Sequence, residues 1–232
     1  MKTLMAATFM CVVAASTAFA TAQYPDKIVY EGRECSLQTN PMNAFFAKNP
    51  DKKPKSGLMS SALWRGYVAT FAFETNTLVL KDIEIQVCVE KEEGQFPSCE
   101  WKSVKNDVVP EGEDLPVDWF TGVLVLPHGK LVNYVHAGYG STYSDYIILE
   151  LEQGKITGKR TYDHVQYEKF KERHFQAFKG TEAYKERVAK LKKNGVPEES
   201  IDPFLQNSVV DYASEFLDEE ESSDKPDAGD GK

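Results

Sequence analysis

Histidine is scarce in this chain, four in 232 residues, and neither a C-x-x-C pair nor closely spaced histidines offer a metal-ligand set. A basic excess is missing too. The formal net charge is -9, so nothing is available to neutralise a phosphate backbone, and nucleic acid is excluded as a partner. No serine stands in a G-x-S-x-G elbow. Beyond the N-terminus no run reaches the ~18 apolar residues that a membrane-spanning helix needs, and no internal repeat is present. What remains is ordinary for a globular protein: 41% hydrophobic and 27% charged residues suffice for a real core. Much of the negative charge lies in the tail from Asp218 to Lys232, with seven acidic and two basic residues. That tail has too little apolar content to fold and is expected to be a disordered, solubilising terminus.

The beginning of the chain reads as an export signal spanning residues 1–22. Lys2 supplies the positive end, Leu4 to Val13 the apolar stretch, and Ala18-Phe19-Ala20 an A-x-A cleavage site, with Ala20-Thr21-Ala22 as a second choice. The mature protein is therefore expected to be periplasmic or secreted, with no membrane span after cleavage. Of four cysteines, cleavage removes Cys11 and leaves Cys35, Cys88 and Cys99. An odd count allows at most one internal disulfide. Cys88 and Cys99 are the better pair, because they flank a Gly/Pro-containing connection between two strands, and an exported chain meets an oxidising compartment. Cys35 is then a spare thiol that behaves as a small hydrophobe.

From residue 23 to 162 the pattern is that of a β-rich domain. Asp26 to Gly32 and Arg33 to Leu37 form a first hairpin. The lysine-rich segment Lys48 to Lys55 reads as an exposed loop. Ser60 to Val89 organises the rest: two long strands, the first starting near Leu63, joined by a turn at Thr75-Asn76. Ile83, Ile85, Val87 and Val89 alternate cleanly, the period of a half-buried strand. Leu78 and Leu80 fall on the opposite parity, which calls for a bulge near Lys81-Asp82. Cys99 to Val104 continues the sheet. Phe120 to Leu126 has the apolar character of a central strand; Pro127-His128-Gly129 is expected to turn it and Lys130 to His136 to return. Tyr146 to Glu152 and Ile156 to Tyr162 form a last hairpin through Gln153-Gly154.

The texture changes at Asp163. Asp163 and Gln166 have capping-box spacing, with Tyr167, Phe170, His174 and Phe178 following as one apolar face. A second helix carries Tyr184, Val188 and Leu191. A third is expected to open with Asp202 as N-cap and Pro203 at the first helical position, turning Phe204, Leu205, Val209, Tyr212 and Phe216 inward. Residues 163–217 thus form a helical part packed on the sheet, and 218–232 the acidic tail. Strands first and helices afterwards imply an α+β fold: an antiparallel, curled or partly closed sheet of about eight to ten strands followed by two or three C-terminal helices.

The most suggestive stretch for recognition is Tyr134 to Tyr146, with Tyr134, His136, Tyr139, Tyr143 and Tyr146 on a strand-loop-strand beside two glycines and several hydroxyl residues. Tyrosine offers contact area and a hydrogen bond at low entropic cost, and Trp64, Trp101 or Trp119 offers a further aromatic contact. His136, Ser141, Ser144 and Asp145 contain the residue types of a hydrolytic triad. Such close neighbours in sequence do not readily converge on one nucleophile, so no catalytic residue is assigned. No metal and no cofactor is expected.

The N-terminal half resembles a group of uncharacterised bacterial exported proteins. The residues that carry the resemblance are Asp26 to Gly32, Asn40-Pro41, Asn49 to Pro54, and above all Ser60-Ser-Ala-Leu-Trp-Arg-Gly-Tyr-Val-Ala-Thr-Phe71. It implies a bacterial periplasmic or secreted setting and carries over no functional role. Within it, Gly66 permits close backbone approach and Arg65 is placed to pair with an acid across the sheet. The reading that follows is an exported, non-enzymatic binding protein that recognises a protein partner through the Tyr134–Tyr146 surface, in an inhibitor- or immunity-like role. The alternatives are a glycan-binding protein or glycan hydrolase using Trp119 with Asp114 and Asp118, and a structural envelope component.

Overall fold

Tight turns with residues at positive φ set up the sheet. The computed structural model describes residues 21–55, 60–89 and 97–217. Most of the expected signal peptide, residues 56–59 after the lysine-rich segment, the Glu-rich connection after Val89 and the acidic tail lie outside the described residues. Strands β1 (Asp26–Tyr30) and β2 (Arg33–Leu37) meet through Glu31 (φ 50°) and Gly32 (φ 75°). Both central residues are left-handed, the geometry that matches the twist of a two-residue hairpin. Strand β3 (Val68–Glu74) returns as β4 (Thr77–Val89) through Thr75 at φ 58°. The last hairpin, β8 (Thr142–Glu152) and β9 (Lys155–Asp163), turns at Gln153 and Gly154, as its sequence implies. Gly154 also lies close under a neighbour: a Cβ there would stand 2.6 Å from the Val117 carbonyl oxygen.

The fold is α+β. A mixed, largely antiparallel sheet runs β2-β1-β3-β4-β9-β8-β7, with β7 at Gly122–Asn133, and both β5 (Ser98–Ser103) and the short β6 (Leu115–Pro116) pair with β4. One pairing departs from the expected antiparallel sheet. β1 lies parallel to β3, with Ile28 opposite Phe71, because 37 to 67 crosses over before the chain re-enters beside β1. Five helices complete the described residues: α1 (Met42–Lys48), α2 (Lys105–Val108), α3 (His164–Lys179), α4 (Glu182–Lys193) and α5 (Glu198–Asn207).

The parity switch in β4 is resolved by the expected bulge: Thr70 pairs with Asp82 and Phe71 with Leu80, leaving Lys81 as the extra residue. Leu78, Leu80 and Ile83 are all fully buried as a result. Cys88 and Cys99 stand directly opposite each other across β4 and β5 and are joined in a disulfide. Cys35 is free, and burial pushes its thiol pKa up, which suits an inert side chain.

Three local expectations are corrected. β3 begins at Val68; Ser61–Leu63 is a single 3-10 turn, although Leu63 and Tyr67 still reach the core. Pro127-His128-Gly129 does not reverse the chain. β7 runs straight through it, and the register against β8 shifts between His128 and Leu131. Gly129, at φ 77°, serves a bulge there, which needs the same left-handed freedom as a turn. Finally, α5 starts after Pro197 and carries Pro203 inside it, and it stops at Asn207 before a 3-10 turn at Val209–Asp211. Phe204 consequently faces outward, 53% exposed, while Ile201 and Leu205 are buried.

β7 is the last strand of the path, yet Val123 to Leu126 are buried on both faces. Leu124 and Leu126 join the main core with Ile28, Phe71 and Leu149. Val123 and Val125 face a second core with Tyr146, Ile148, Tyr167, Phe170 and Val209. The outer edge of β7 is covered by the residues that follow β2. Gln38 N–H donates to the Val125 carbonyl at 2.9 Å, Thr39 Oγ1 accepts from Val125 N–H at 3.1 Å, and its hydroxyl donates to the Val123 carbonyl at 3.2 Å. Backbone groups that an edge would leave open are thereby satisfied.

The α3 capping box forms as its spacing implies, with Asp163 accepting from Gln166 N–H at 2.8 Å and Gln166 answering at 2.9 Å. Its inward stripe contains His174, 5% exposed and 4.3 Å from the Phe170 ring. Burial, followed by the Arg173 and Arg160 cations, pulls this imidazole down to about 4. The native protein therefore takes up that proton only near pH 4, whereas the unfolded chain does so near the ordinary 6.5. His174 contributes stability that is present above pH 6.5 and lost as the pH falls through 4. His174→Leu is expected to reduce the acid loss between pH 6.5 and 4.5 by about 2 kcal/mol relative to the unsubstituted protein. Urea unfolding at a series of pH values measures it, and equal pH slopes for the two proteins would refute it.

Candidate functional site

Asp26 is the first residue of β1 and is wholly buried. Its Oδ1 accepts from Ala69 N–H at 3.0 Å, which ties the start of β1 to β3, and from Arg65 Nη2 at 3.0 Å. Arg65 reaches it from the turn after the Ser61–Leu63 helix, where Gly66 at φ 84° brings the chain back toward the sheet. The acidic partner anticipated for Arg65 is therefore Asp26. Arg65 is only 3% exposed. It also donates through Nη2 to the Tyr24 carbonyl at 2.9 Å and through Nη1 to the Tyr139 hydroxyl at 2.5 Å. Tyr139 in turn donates to Asn40 Oδ1 at 2.9 Å. Residues from four separate stretches of chain (24–26, 40, 65–69 and 139) meet in this one network.

Burial pushes the Asp26 carboxyl up to about 6, against the pull of the Arg65 cation and the hydrogen bonds from Ala69 and Arg65. Burial likewise lifts the Tyr139 hydroxyl to about 12, so it stays protonated and able to donate. Asp26 Oδ2 and Arg65 Nε have no hydrogen-bond partner among the described residues.

Above this network lies a cavity of about 450 Å³. One wall is the loop between β7 and β8, from Val135 to Thr142; another is Trp64, Arg65 and the residues after β2, Gln38, Asn40 and Asn43. The helical layer supplies Tyr167, Lys171, Phe204 and Asn207. The loop is held in shape: Ser141 Oγ accepts from Val135 N–H at 3.1 Å and donates to its carbonyl at 3.3 Å, while Gly140 N–H donates to Ala137 O at 2.9 Å. Ala22 bridges to Gly138, with Gln23 N–H donating to the Gly138 carbonyl at 3.0 Å. Lys171, 7% exposed, donates to Asn207 Oδ1 at 3.2 Å and pairs with Glu168 at 2.9 Å.

The residues singled out in the sequence divide among three environments. Tyr139 faces the cavity through its bond to Arg65. Tyr146 is fully buried beneath it, its ring stacked on Tyr167 at 3.9 Å and its oxygen accepting from Tyr143 N–H at 2.8 Å. Tyr134 is 60% exposed and its hydroxyl bonds His136 Nδ1 at 2.8 Å, so both sit on the outer side of the loop, off the cavity wall. Tyr143 is half-buried and also off that wall. Trp119 belongs to the main core: its Nε1 donates to the Pro41 carbonyl at 3.0 Å and its ring packs 4.7 Å from Phe45.

The chemistry available follows from these bonds. His136 is bonded to Tyr134, Ser141 to Val135, and Ser144 to Asp145 at 2.5 Å, so the described residues contain no serine–histidine hydrogen bond. Asp114 is held down to about 2 by hydrogen bonds from Lys81 and Lys105. A carboxyl held that low makes a poor proton donor for glycoside cleavage, which requires a raised pKa. Among the described residues no group of three or more His, Cys, Asp or Glu is placed to hold a metal ion.

Sequence reading alone names Trp64 as an aromatic contact but leaves out Asp26, Asn40, Lys171, Phe204 and Asn207 as site residues. The available signal was Leu-Trp-Arg-Gly-Tyr, where an arginine and an exposed tryptophan flank a glycine-dependent turn. No protein-family model, curated protein or solved structure matches the chain.

Proposed function

We propose that this chain is an exported, non-catalytic binding protein whose ligand site is the cavity between the Val135–Thr142 loop and the helical layer. The carrying observation is the cavity itself: about 450 Å³, open to solvent, and walled by side chains fixed through the Arg65–Tyr139–Asn40 and Lys171–Asn207 bonds. That volume lies in the range of small-molecule sites, which join apolar and aromatic walls to a few oriented polar groups. A wall already locked by its own hydrogen bonds loses little freedom when a ligand enters. The bonds from Gln38 and Thr39 to β7 support reading the sheet as curled or partly closed, which sets the residues after β2 at the cavity wall. Export is supported by the N-terminal signal pattern and by the disulfide. The test is a melting-temperature screen of the purified protein against small-molecule fractions of envelope and secreted extracts. At least one fraction is expected to raise the melting temperature of the protein and not that of Trp64→Ala; no shift with any fraction would overturn the reading.

A second reading keeps the protein partner but moves its surface. Leu131 and Val132, at 52% and 54% exposure, lie with Tyr134 at the far end of edge strand β7. An exposed apolar edge suits a partner chain, and an inhibitor- or immunity-like role fits it. Capture of a stoichiometric partner by the protein, lost in Val132→Asp and kept in Trp64→Ala, would establish this reading over the first.

A further inference from the structure

We propose that the ligand of this cavity is an uncharged oligosaccharide, a proposal that rests on the cavity being a ligand site. Three properties of the wall converge on that class.

The first is charge. Every ionic group on the wall already has a counter-charge. Arg65 faces Asp26 at 3.0 Å, Lys171 faces Glu168 at 2.9 Å, and Asp211 faces Arg187 at 3.6 Å. An anion or cation entering here would compete with a bonded partner rather than meet an open charge, and desolvating it would go uncompensated.

The second is the direction of the hydrogen bonds. Arginine has donors and no acceptor, so the Tyr139 oxygen must accept from Arg65, and its own proton goes to Asn40 Oδ1. An ammonium likewise only donates, so Asn207 meets Lys171 through Oδ1. Both carboxamides are thereby oriented by obligation. Their Nδ2 groups have no partner among the described residues, and Gln38 and Asn43 add further amides to the wall, while the Gln23 amide is already bonded to the Thr21 and Ser61 carbonyls. Neutral, oriented N–H donors suit hydroxyl and ring oxygens. An acyl chain would cover these donors without satisfying them, a direct loss of affinity.

The third is the pair of flat apolar faces. Trp64 and Phe204 are both 53% exposed and both on the wall, although large aromatics ordinarily bury their rings. A pyranose ring carries its C–H groups on one face and its hydroxyls around the rim. It can lie on an aromatic ring through dispersion while its rim meets the amides. The wall carries both kinds of group, Trp64 and Phe204 beside Gln38, Asn40 and Asn207.

The test starts from an array of uncharged glycans, with uronate-bearing and sialylated glycans and laurate as comparators. Titration of tryptophan fluorescence with the best binder follows. An uncharged oligosaccharide is expected to bind saturably and to be unaffected by added salt. Trp64→Ala should weaken it about tenfold or more, and Asn40→Ala by several-fold. Trp101→Ala should leave it unchanged, because that ring lies off the cavity wall. Trp64 is half exposed, so the variant is expected to keep the melting temperature of the unsubstituted protein. Binding that ignores both cavity substitutions would overturn the location. If laurate or a uronate binds and responds to Trp64→Ala while no uncharged glycan does, the saccharide class is wrong and the ligand site stands. If nothing binds and no extract fraction raises the melting temperature, the ligand-site reading fails as well.

Discussion

Arg65→Met is expected to lose about 3–5 kcal/mol of unfolding stability near neutral pH. The substitution keeps most of the side-chain volume but removes the cation from a site where Asp26 has no exposed surface and Arg65 only 3%. The carboxylate is left with the Ala69 N–H as its hydrogen bond. The Tyr24 carbonyl and the Tyr139 oxygen also lose their donor. The penalty comes from stranding charge and polar groups in the interior rather than from the attraction of the pair itself, which desolvation largely offsets. That origin makes two further outcomes follow. Asp26→Asn combined with Arg65→Met should cost less than the sum of the single changes, because the neutral amide still accepts from Ala69 and no unmatched charge remains. The loss should also depend on pH. Asp26 already binds its proton more tightly in the native state, with a value near 6 against an ordinary 3.8. Its contribution is thus fully present below pH 3.8 and lost as the pH rises through 6. Without Arg65 the carboxyl moves up further, so the deficit of Arg65→Met is expected to be larger at pH 8 than at pH 5. Urea unfolding at the two pH values decides it: equal losses, or strict additivity with Asp26→Asn, would show that the pair acts through packing alone.

This network also marks the limit of what the sequence makes legible. The elements read correctly are those whose cause is local. Glu31-Gly32, Thr75-Asn76 and Gln153-Gly154 each place a left-handed residue between alternating strands, and Asp163 caps its helix through a residue three positions on. Even the Lys81 bulge was accessible, because the parity of Leu80 and Ile83 cannot be reconciled without an extra residue. Gly129 is ambiguous in the sequence for a physical reason: a positive φ serves a bulge and a turn alike, and only pairing with β8 decides between them. Pro203 points to a helix start because proline fits a first helical turn best, yet the helix has already begun after Pro197. The cavity depends on bonds that span 39, 74 and 99 positions, from Arg65 to Asp26 and to Tyr139, and from Tyr139 to Asn40. No periodicity or spacing rule reaches that far. The Tyr134–Tyr146 stretch was legible as unusual, but its composition could not show that Tyr139 turns inward while Tyr134 turns out.

Tyr146→Ala is the second large loss to expect, about 3–5 kcal/mol. Tyr146 is 1% exposed and joins two layers. Its ring stacks on Tyr167 of α3 at 3.9 Å, and Phe170 follows 6.0 Å beyond, so the sheet and the helices meet through these faces. Its oxygen accepts from Tyr143 N–H, which fixes the strand as it leaves the cavity loop. Tyr146→Phe separates these contributions. It keeps the stack and leaves a half-buried N–H without an acceptor, at an expected cost of about 1–2 kcal/mol. Most of the loss in the alanine variant therefore belongs to the ring and the space it vacates. Since Tyr146 and Tyr167 also form part of the cavity wall, the same comparison bears on ligand binding. Tyr146→Phe should retain affinity, whereas Tyr146→Ala should lose it together with the register between loop and helix. Comparable stability losses in the two variants would place the importance of Tyr146 in its hydroxyl, and the helical layer would then need another anchor on the sheet.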